Sequence, residues 1–397
     1  MRTHYEYIVL GCGGIGSAAL YWLSRRAGKD VLGVEQFEIG HTKGGSQDHS
    51  RIIRLTYDSD EYTRLTPHSY TTWAAVEAEA ALKIVHRTGG LTMAIKDGPY
   101  QHHLHNYAKS MTNCEIPFER LNADEVMRRY PQWRFEEEVD AIYQADMGLA
   151  DAAKGNTAHI ALARARGATI VDRCPVPAVR PTVDGMEVET AQGKFSCRRL
   201  ILAAGGWTDK ILKSLGINFR IIVTQEQVTY YATPNLREFS MSRFPTFIWE
   251  GEIPAYGFPV YGEAATKLGI DCAGPVVDPD QRDYAPSEAL ELISEAWLSK
   301  YCPGFLGPIL YSKTCQYDMP RDRNFILDVL PEHPQVSVFV GAGHAYKFAS
   351  LFGKILSELA IDGRTAYDIS AFGVTRPAVA DPDYPISFQH QSDWGAV

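Results

Sequence analysis

Tyr7-Ile8-Val9-Leu10-Gly11-Cys12-Gly13-Gly14-Ile15-Gly16 decides the fold of this chain, because an apolar strand runs directly into a set of spaced glycines. Gly11 allows a tight strand-to-helix turn, Gly13 lets the backbone approach a pyrophosphate, and Gly16 lets the following helix lie close against the strand. The helix N-terminus then faces the phosphates. A second strand, Val31-Leu32-Gly33-Val34, ends in Glu35, where a carboxylate can accept hydrogen bonds from a ribose diol. An acid at that place favours NAD or FAD over NADP.

The chain has 397 residues, 45% apolar and 22% charged, which is a globular composition long enough for two domains or one two-lobed unit. It contains no run of about 18 apolar residues and enters a strand without a basic leader, so a cytoplasmic protein with no membrane partner is expected. Trp394-Gly395-Ala396-Val397 lacks a Ser-Lys-Leu type of address. The net charge of −9 argues against a nucleic-acid partner. Cys12, Cys114, Cys174, Cys197, Cys272, Cys302 and Cys315 form no CxxC pair, so neither a disulfide framework nor a metal site is expected. Taken alone, each reads as a small buried hydrophobe.

Two textures alternate along the chain. Residues 151–166 read as a helix ended by Gly167, followed by a strand at 169–171, a hairpin of 186–189 and 194–197 through Gly193, and a strand at 199–202. That last strand runs into Gly205-Gly206-Trp207, a second glycine turn able to pass close to a dinucleotide. Residues 325–330, 336–343 and a helix over 346–361 stopped by Gly363 return to the same texture. The stretches 91–143 and 221–317 are richer in aromatics and prolines and suggest a mostly antiparallel sheet with flanking helices such as 287–301. The expected fold is therefore α/β, with a Rossmann-type lobe built from 1–90, 147–220 and 318–397. An α+β substrate lobe is expected from 91–146 and 221–317. A nucleotide lobe interrupted in this way favours FAD over NAD.

Further motifs are Ser50-Arg51-Ile52-Ile53-Arg54 before Tyr57, Tyr256-Gly257-Phe258-Pro259 leading to Lys267-Leu268-Gly269, Lys313-Thr314-Cys315-Gln316-Tyr317 followed by Asn324-Phe325-Ile326-Leu327-Asp328, and Gly341-Ala342-Gly343-His344-Ala345-Tyr346-Lys347-Phe348. With these and the opening turn, the chain resembles the monomeric sarcosine oxidase and N-methyltryptophan oxidase family of FAD-dependent amine oxidases, from Tyr5 to about Pro377. The resemblance implies a thioether from Cys315 to the 8α-methyl of FAD, and Lys313 nearby could help to lower the thiol pKa. It implies that Arg54 and Lys347 hold a substrate carboxylate, the guanidinium through paired hydrogen bonds and the ammonium as a point charge. Lys267 is implied as the cation that promotes reaction of reduced flavin with oxygen, Arg51 as a flavin-side cation, and Tyr256 and Tyr317 as pocket walls. The cofactor set becomes Gly11, Gly13, Gly16, Glu35, Ser50, Arg51, Gly205, Cys315, Gly343 and Lys347.

The implied activity is oxidation of a secondary or cyclic α-amino acid by a monomeric enzyme. Hydride passes from the carbon next to nitrogen to flavin N5, the imine hydrolyses, and O₂ becomes H₂O₂. An electron carrier in place of oxygen, an NAD-dependent dehydrogenase and a non-catalytic flavin protein are the alternatives. This chain departs from sarcosine oxidases at Asp271, where they carry histidine, and at Ser46 and Gln47, where they carry a histidine pair, with His49 displaced. Asp271 would attract a second positive group on the substrate or repel a carboxylate. His41, His49 and His344 flank glycine-rich turns and read as hydrogen-bonded structural residues rather than bases.

Overall fold

The structure is a computed structural model that describes residues 2–388; the C-terminal residues 394–397 read above lie outside them. His4–Leu10 is the central strand, with Ile8 and Leu10 packed into one core and Val9 into another. A strand apolar on both faces must be covered on both, which is the habit of parallel sheets. It pairs in parallel with Val31–Val34 on one side and Gly193–Leu202 on the other, and Thr169–Val171 and His333–Val340 extend the two flanks in parallel. Counted along the chain the order is 3-2-1-4-5, the Rossmann arrangement. Ala178–Pro181, Met186–Thr190 and Ile326–Leu330 add antiparallel edges.

Gly193–Leu202 is one continuous strand where the sequence suggested two pieces. Its first half pairs with Met186–Thr190 and its second with His333–Val340, so its pattern changes midway because its neighbour changes. The helix Ala152–Ala165 is capped by Asp151, whose carboxylate accepts from Lys154 N–H at 2.9 Å, and Glu288–Tyr301 is capped by Ser287 in the same manner. The expected helix after Tyr346 opens with a 3₁₀ turn, Tyr346–Phe348, before Ala349–Asp362.

Gly14–Ala27 is the helix after the glycine turn. Gly13 caps it without a side-chain acceptor, and Arg25 and Arg26 complement its dipole in the last turn. A Cβ on Gly16 would lie 1.8 Å from the carbonyl oxygen of Gly11, so this crossing admits only hydrogen. Leu20 and Leu23 meet Phe352, Ile355 and Leu356 of Ala349–Asp362 in a fully buried layer.

The second sheet runs in the order 309–319, 222–231, 266–270, 255–258, 246–250, 90–95, 139–144, 119–122. Every pair is antiparallel except Thr246–Glu250 with Gly90–Ile95. Its outer face is closed by an aromatic core that includes Trp133, Phe244, Phe247, Trp297 and Phe305. A small third sheet, Arg51–Ile53 with Gly148–Ala150 and Val85–Arg87, carries no signal in the sequence, since strands of three residues are too short to show a period. No helix among the described residues is long and apolar enough to cross a membrane.

Where the helices Gly14–Ala27 and Ala349–Asp362 cross, a Cβ on Gly353 would lie 2.4 Å from that of Ala18. Gly353→Val is expected to cost about 1–3 kcal/mol by overpacking. Urea unfolding of the purified variant beside the parent measures it.

Candidate active site

One cavity of about 1440 Å³ starts at the carboxyl ends of the strands His4–Leu10 and Gly193–Leu202 and continues onto the antiparallel sheet. This is the crevice where the strand order reverses, the usual ligand position in an open α/β sheet. Gly11, Gly13, Glu35 and Gly205 line its first part. Gly11 has φ +87° and sits so close to the second turn that a Cβ would be 2.4 Å from Ala203 O. Gly14 N–H donates to Ser46 Oγ and Asn156 Nδ2 to Ser46 O, both at 2.8 Å, which pins the 44–50 loop across the helix end. Glu35 is turned by its own turn: its carboxylate accepts from Cys12 N–H at 2.8 Å and Phe37 N–H at 3.1 Å. Gly16 lies behind the wall and serves the helix crossing alone.

The middle of the cavity is organised by a residue that sequence reasoning missed. Asp48, buried, accepts from Lys267 Nζ at 2.6 Å and from Tyr230 OH at 2.6 Å, with Arg51 Nη1 and Lys313 Nζ each at 3.4 Å. Lys267 also donates to Ser50 O at 2.8 Å and Ser50 Oγ at 3.2 Å. Burial pulls the Lys267 ammonium down to about 8, with Asp48 opposing the fall. Arg51 donates to the carbonyls of Gly45, Gln47 and Ser50 at 3.1, 2.9 and 3.0 Å. The only signal for Asp48 was an acid three residues before Arg51, and its distant partners Tyr230, Lys267 and Lys313 lie on three strands of the antiparallel sheet.

Cys315 lines the same part of the cavity, in register with Glu226 on the neighbouring strand. The sequence assigned Lys313 to help ionise its thiol, and the structure corrects this. Lys313 is drawn to Asp48, and the cations acting on Cys315 are Arg51 and Lys267. Burial outweighs both and pushes the thiol above its ordinary value.

The far end holds Arg54, Lys347, Tyr256, Tyr317, Gly343 and Asp271. Arg54 stacks over Tyr57 at 4.7 Å and Tyr107 at 5.6 Å, and its Nε and Nη1 are buried without an acceptor among the described residues. Lys347 is buried too; its Nζ donates to His344 O at 2.7 Å, and burial together with Arg54 lowers it well below the usual lysine range. These are not solvated surface cations. Tyr317 fills the space that a Cβ on Gly343 would need, and Tyr256 that of Gly269; burial raises both phenols, which stay protonated. His344 is neutral and fully engaged, its Nε2 3.3 Å from Arg323 O and its Nδ1 3.2 Å from Tyr57 OH. A carbonyl only accepts, so the proton sits on Nε2 and Nδ1 receives the phenol.

Asp271 also needs correction. Its carboxylate is paired with Arg323 Nη2 at 2.7 and 2.8 Å, so the protein itself supplies the positive group expected from a substrate. Arg323 comes from a turn 52 residues further on, and nothing local in the sequence announces that meeting.

The family model described as FAD dependent oxidoreductase matches residues 6–359, and the chain belongs to that family. It is an FAD-dependent oxidoreductase of the branch that holds the monomeric sarcosine oxidases and N-methyltryptophan oxidases. It is 32% identical to a monomeric sarcosine oxidase of Bacillus sp. (strain B-0618), over 96% of this chain and 98% of that one. It is 29% identical to an N-methyl-L-tryptophan oxidase of Escherichia coli O139:H28, over 94% and 99%. Among solved structures, NikD, an unusual amino acid oxidase essential for nikkomycin biosynthesis, superposes with a TM-score of 0.84 at 26% identity, covering 94% of this chain and 98% of that one. FAD fits the residues present: two pressed glycine turns and an oriented acid at one end, and a charged, partly apolar cleft at the other.

Glu226 is the other residue missed. It is 1% exposed and accepts from Thr224 Oγ1 at 2.5 Å, Ala273 N–H at 3.0 Å and Gly274 N–H at 3.2 Å. Burial nevertheless pushes its carboxyl from 4.5 up to about 7. A raised acid contributes stability that is full below its unfolded value and is lost as pH rises through the folded one. Glu226→Gln keeps the same partners, so it is expected to flatten the melting-temperature profile between pH 4.5 and 7 and to gain up to about 3 kcal/mol above pH 7. Calorimetry across that pH range reads it.

Proposed function

We propose that this enzyme oxidises a secondary or cyclic α-amino acid with FAD and returns the electrons to oxygen as hydrogen peroxide. One observation carries the reading: Arg54 presents two buried guanidinium nitrogens, Nε and Nη1, with no acceptor among the described residues, beside a buried Lys347 whose one acceptor among those residues is a carbonyl. Buried donors without partners are costly, and a substrate carboxylate satisfies them. The relatives named for sarcosine and N-methyl-L-tryptophan oxidation share an amine next to a carboxylate.

We assign FAD to the lobe of 1–90, 147–220 and 318–397, and substrate recognition to 91–146 and 221–317. Gly11, Gly13, Glu35, Ser50, Arg51, Gly205, Cys315 and Gly343 hold the cofactor, with Cys315 as the covalent attachment point. Bound FAD supplies an acceptor for the hydride and a path for two electrons to oxygen. The chain's own residues do the rest. Arg54 and Lys347 fix the carboxylate, Tyr256 and Tyr317 wall the reacting carbon, and the positive Lys267 stands where charge develops on oxygen. The neutral, fully bonded His344 is not available as a base, which suits transfer from an amine that is already neutral. We infer a monomer, and the absence of disulfides among the described cysteines accords with a reducing, cytoplasmic compartment.

A peroxide-coupled screen of N-methyl and cyclic amino acids tests the reading, and the absence of turnover with every α-amino acid overturns it. With the best substrate, Arg54→Met is expected to lower kcat/KM by about 10- to 100-fold, the worth of a charged hydrogen bond. Steady-state kinetics on both proteins measures the loss. Cys315→Ala is expected to release all flavin on acid precipitation, whereas the parent pellet stays yellow.

A further inference from the structure

Asp48 has no part in the assignments above, yet it takes more donors than any other carboxylate of the cleft. Besides Lys267, Tyr230, Arg51 and Lys313, its Oδ1 accepts His49 N–H at 2.9 Å, and its own carbonyl is held by Ala153 N–H at 3.1 Å at the start of the helix Ala152–Ala165. The Asp48 and Lys267 side chains are each 2% exposed. We propose that Asp48 is a positioning residue that keeps Lys267 charged and aims its ammonium into the cofactor cleft. This rests on the reading of Lys267 as the cation that serves oxygen.

An ammonium taken out of water neutralises unless a counter-charge holds it. Among the described residues Lys267 has Asp48 as its only anionic partner at hydrogen-bond distance; its remaining acceptors there, both on Ser50, are neutral. The groups facing the pair are Arg51 from the short strand Arg51–Ile53, Tyr230 from one strand of the large antiparallel sheet, and Tyr311, Lys313 and Cys315 from the next. Arg51 repels the ammonium and is itself held by three carbonyls, so it stays in place when Asp48 is lost. Lys313, with 40% of its side chain exposed, keeps its hydration. Tyr230 is pushed far above the ordinary phenol range by burial and by Asp48, and remains a donor. The loss of the carboxylate therefore falls on Lys267.

The test uses holoenzyme of the parent, Asp48→Asn, Asp48→Glu, Lys267→Met and the double variant. Two quantities are followed against pH: the rate at which the reduced flavin is reoxidised by oxygen, and the absorbance of the oxidised flavin, which reports the charge beside it. In the parent both are expected to change through one ionisation near pH 8. In Asp48→Asn that ionisation moves down by a unit or more, so reoxidation at pH 8 slows by about tenfold. At pH 6 the rate approaches the parent's. Asp48→Glu restores much of the shift, and Lys267→Met abolishes the ionisation in both backgrounds. A role in folding alone would lower the rates at every pH without moving the titration.

An unchanged spectral titration in Asp48→Asn overturns the proposal. Lys267→Met that reoxidises at the parental rate overturns the oxygen reading instead, and the spectral titration still decides the role of Asp48. Should Asp48→Asn fail to accumulate, the proposal expects the added Lys267→Met to recover folded holoenzyme, because the unpaired buried charge is then gone. A double variant that also fails to fold overturns it.

Discussion

Everything in this molecule is arranged around a contact with no room for a side chain. Gly16 at the start of the first helix lies against the carbonyl of Gly11 at the end of the first strand, and Gly11 lies against the turn at Ala203 and Ala204. Two strand ends and one helix end thereby meet within a few ångströms. Their backbone N–H groups, the helix dipole and the oriented Glu35 all face one crevice. The other lobe can add chemistry only by bringing its own side chains to that crevice, which it does with the strands that carry Lys267, Cys315 and Tyr317.

The second theme is how buried charge is managed. Arg51, Arg54, Lys267, Arg323 and Lys347 line one cavity, and so many cations in a low-dielectric site demand compensation. Asp48 answers Lys267 and Asp271 answers Arg323. Tyr57 and Tyr107 offer ring faces to Arg54, whose buried Nε and Nη1 have no acceptor among the described residues, and the one hydrogen bond of Lys347 Nζ among those residues goes to a carbonyl. The uncompensated positive charge is thus concentrated at the end of the cavity opposite the glycine turns. That separation sets a glycine-turn end of the cleft apart from a cationic end, with the two protein-neutralised pairs between and beside them.

Much of this was legible because the signals are local. A strand, three glycines and an acid within 30-odd residues are enough to place a dinucleotide, since turn, helix and strand are set by neighbours in sequence. The helices 152–165 and 288–301 announce themselves by their caps, and the long parallel strands by apolar residues on both faces. Resemblance supplied Arg54, Lys267, Cys315 and Lys347, and all of them reach the cavity wall. Asp48 and Glu226 escaped notice because a polar residue in a loop or on an aromatic-rich strand carries no period. The three-residue strand holding Arg51 and Ile53 escaped for the same reason. The role given to Lys313 went wrong because spacing by two residues fixes only the face, while the carboxylate that captures the ammonium comes from a loop 265 residues away.

The sequence by itself determined a Rossmann-type lobe built from separated segments, a dinucleotide-type turn from Gly11 to Glu35, and membership of an FAD-dependent family, because each depends on short-range backbone geometry or on residues quoted as intact motifs. Only the tertiary structure decided which charges meet. Asp48 with Lys267, Asp271 with Arg323, and the unanswered donors of Arg54 are products of long-range closure. In a buried cleft, the partner standing within about 3 Å, and not the residue type, fixes protonation state and therefore chemistry.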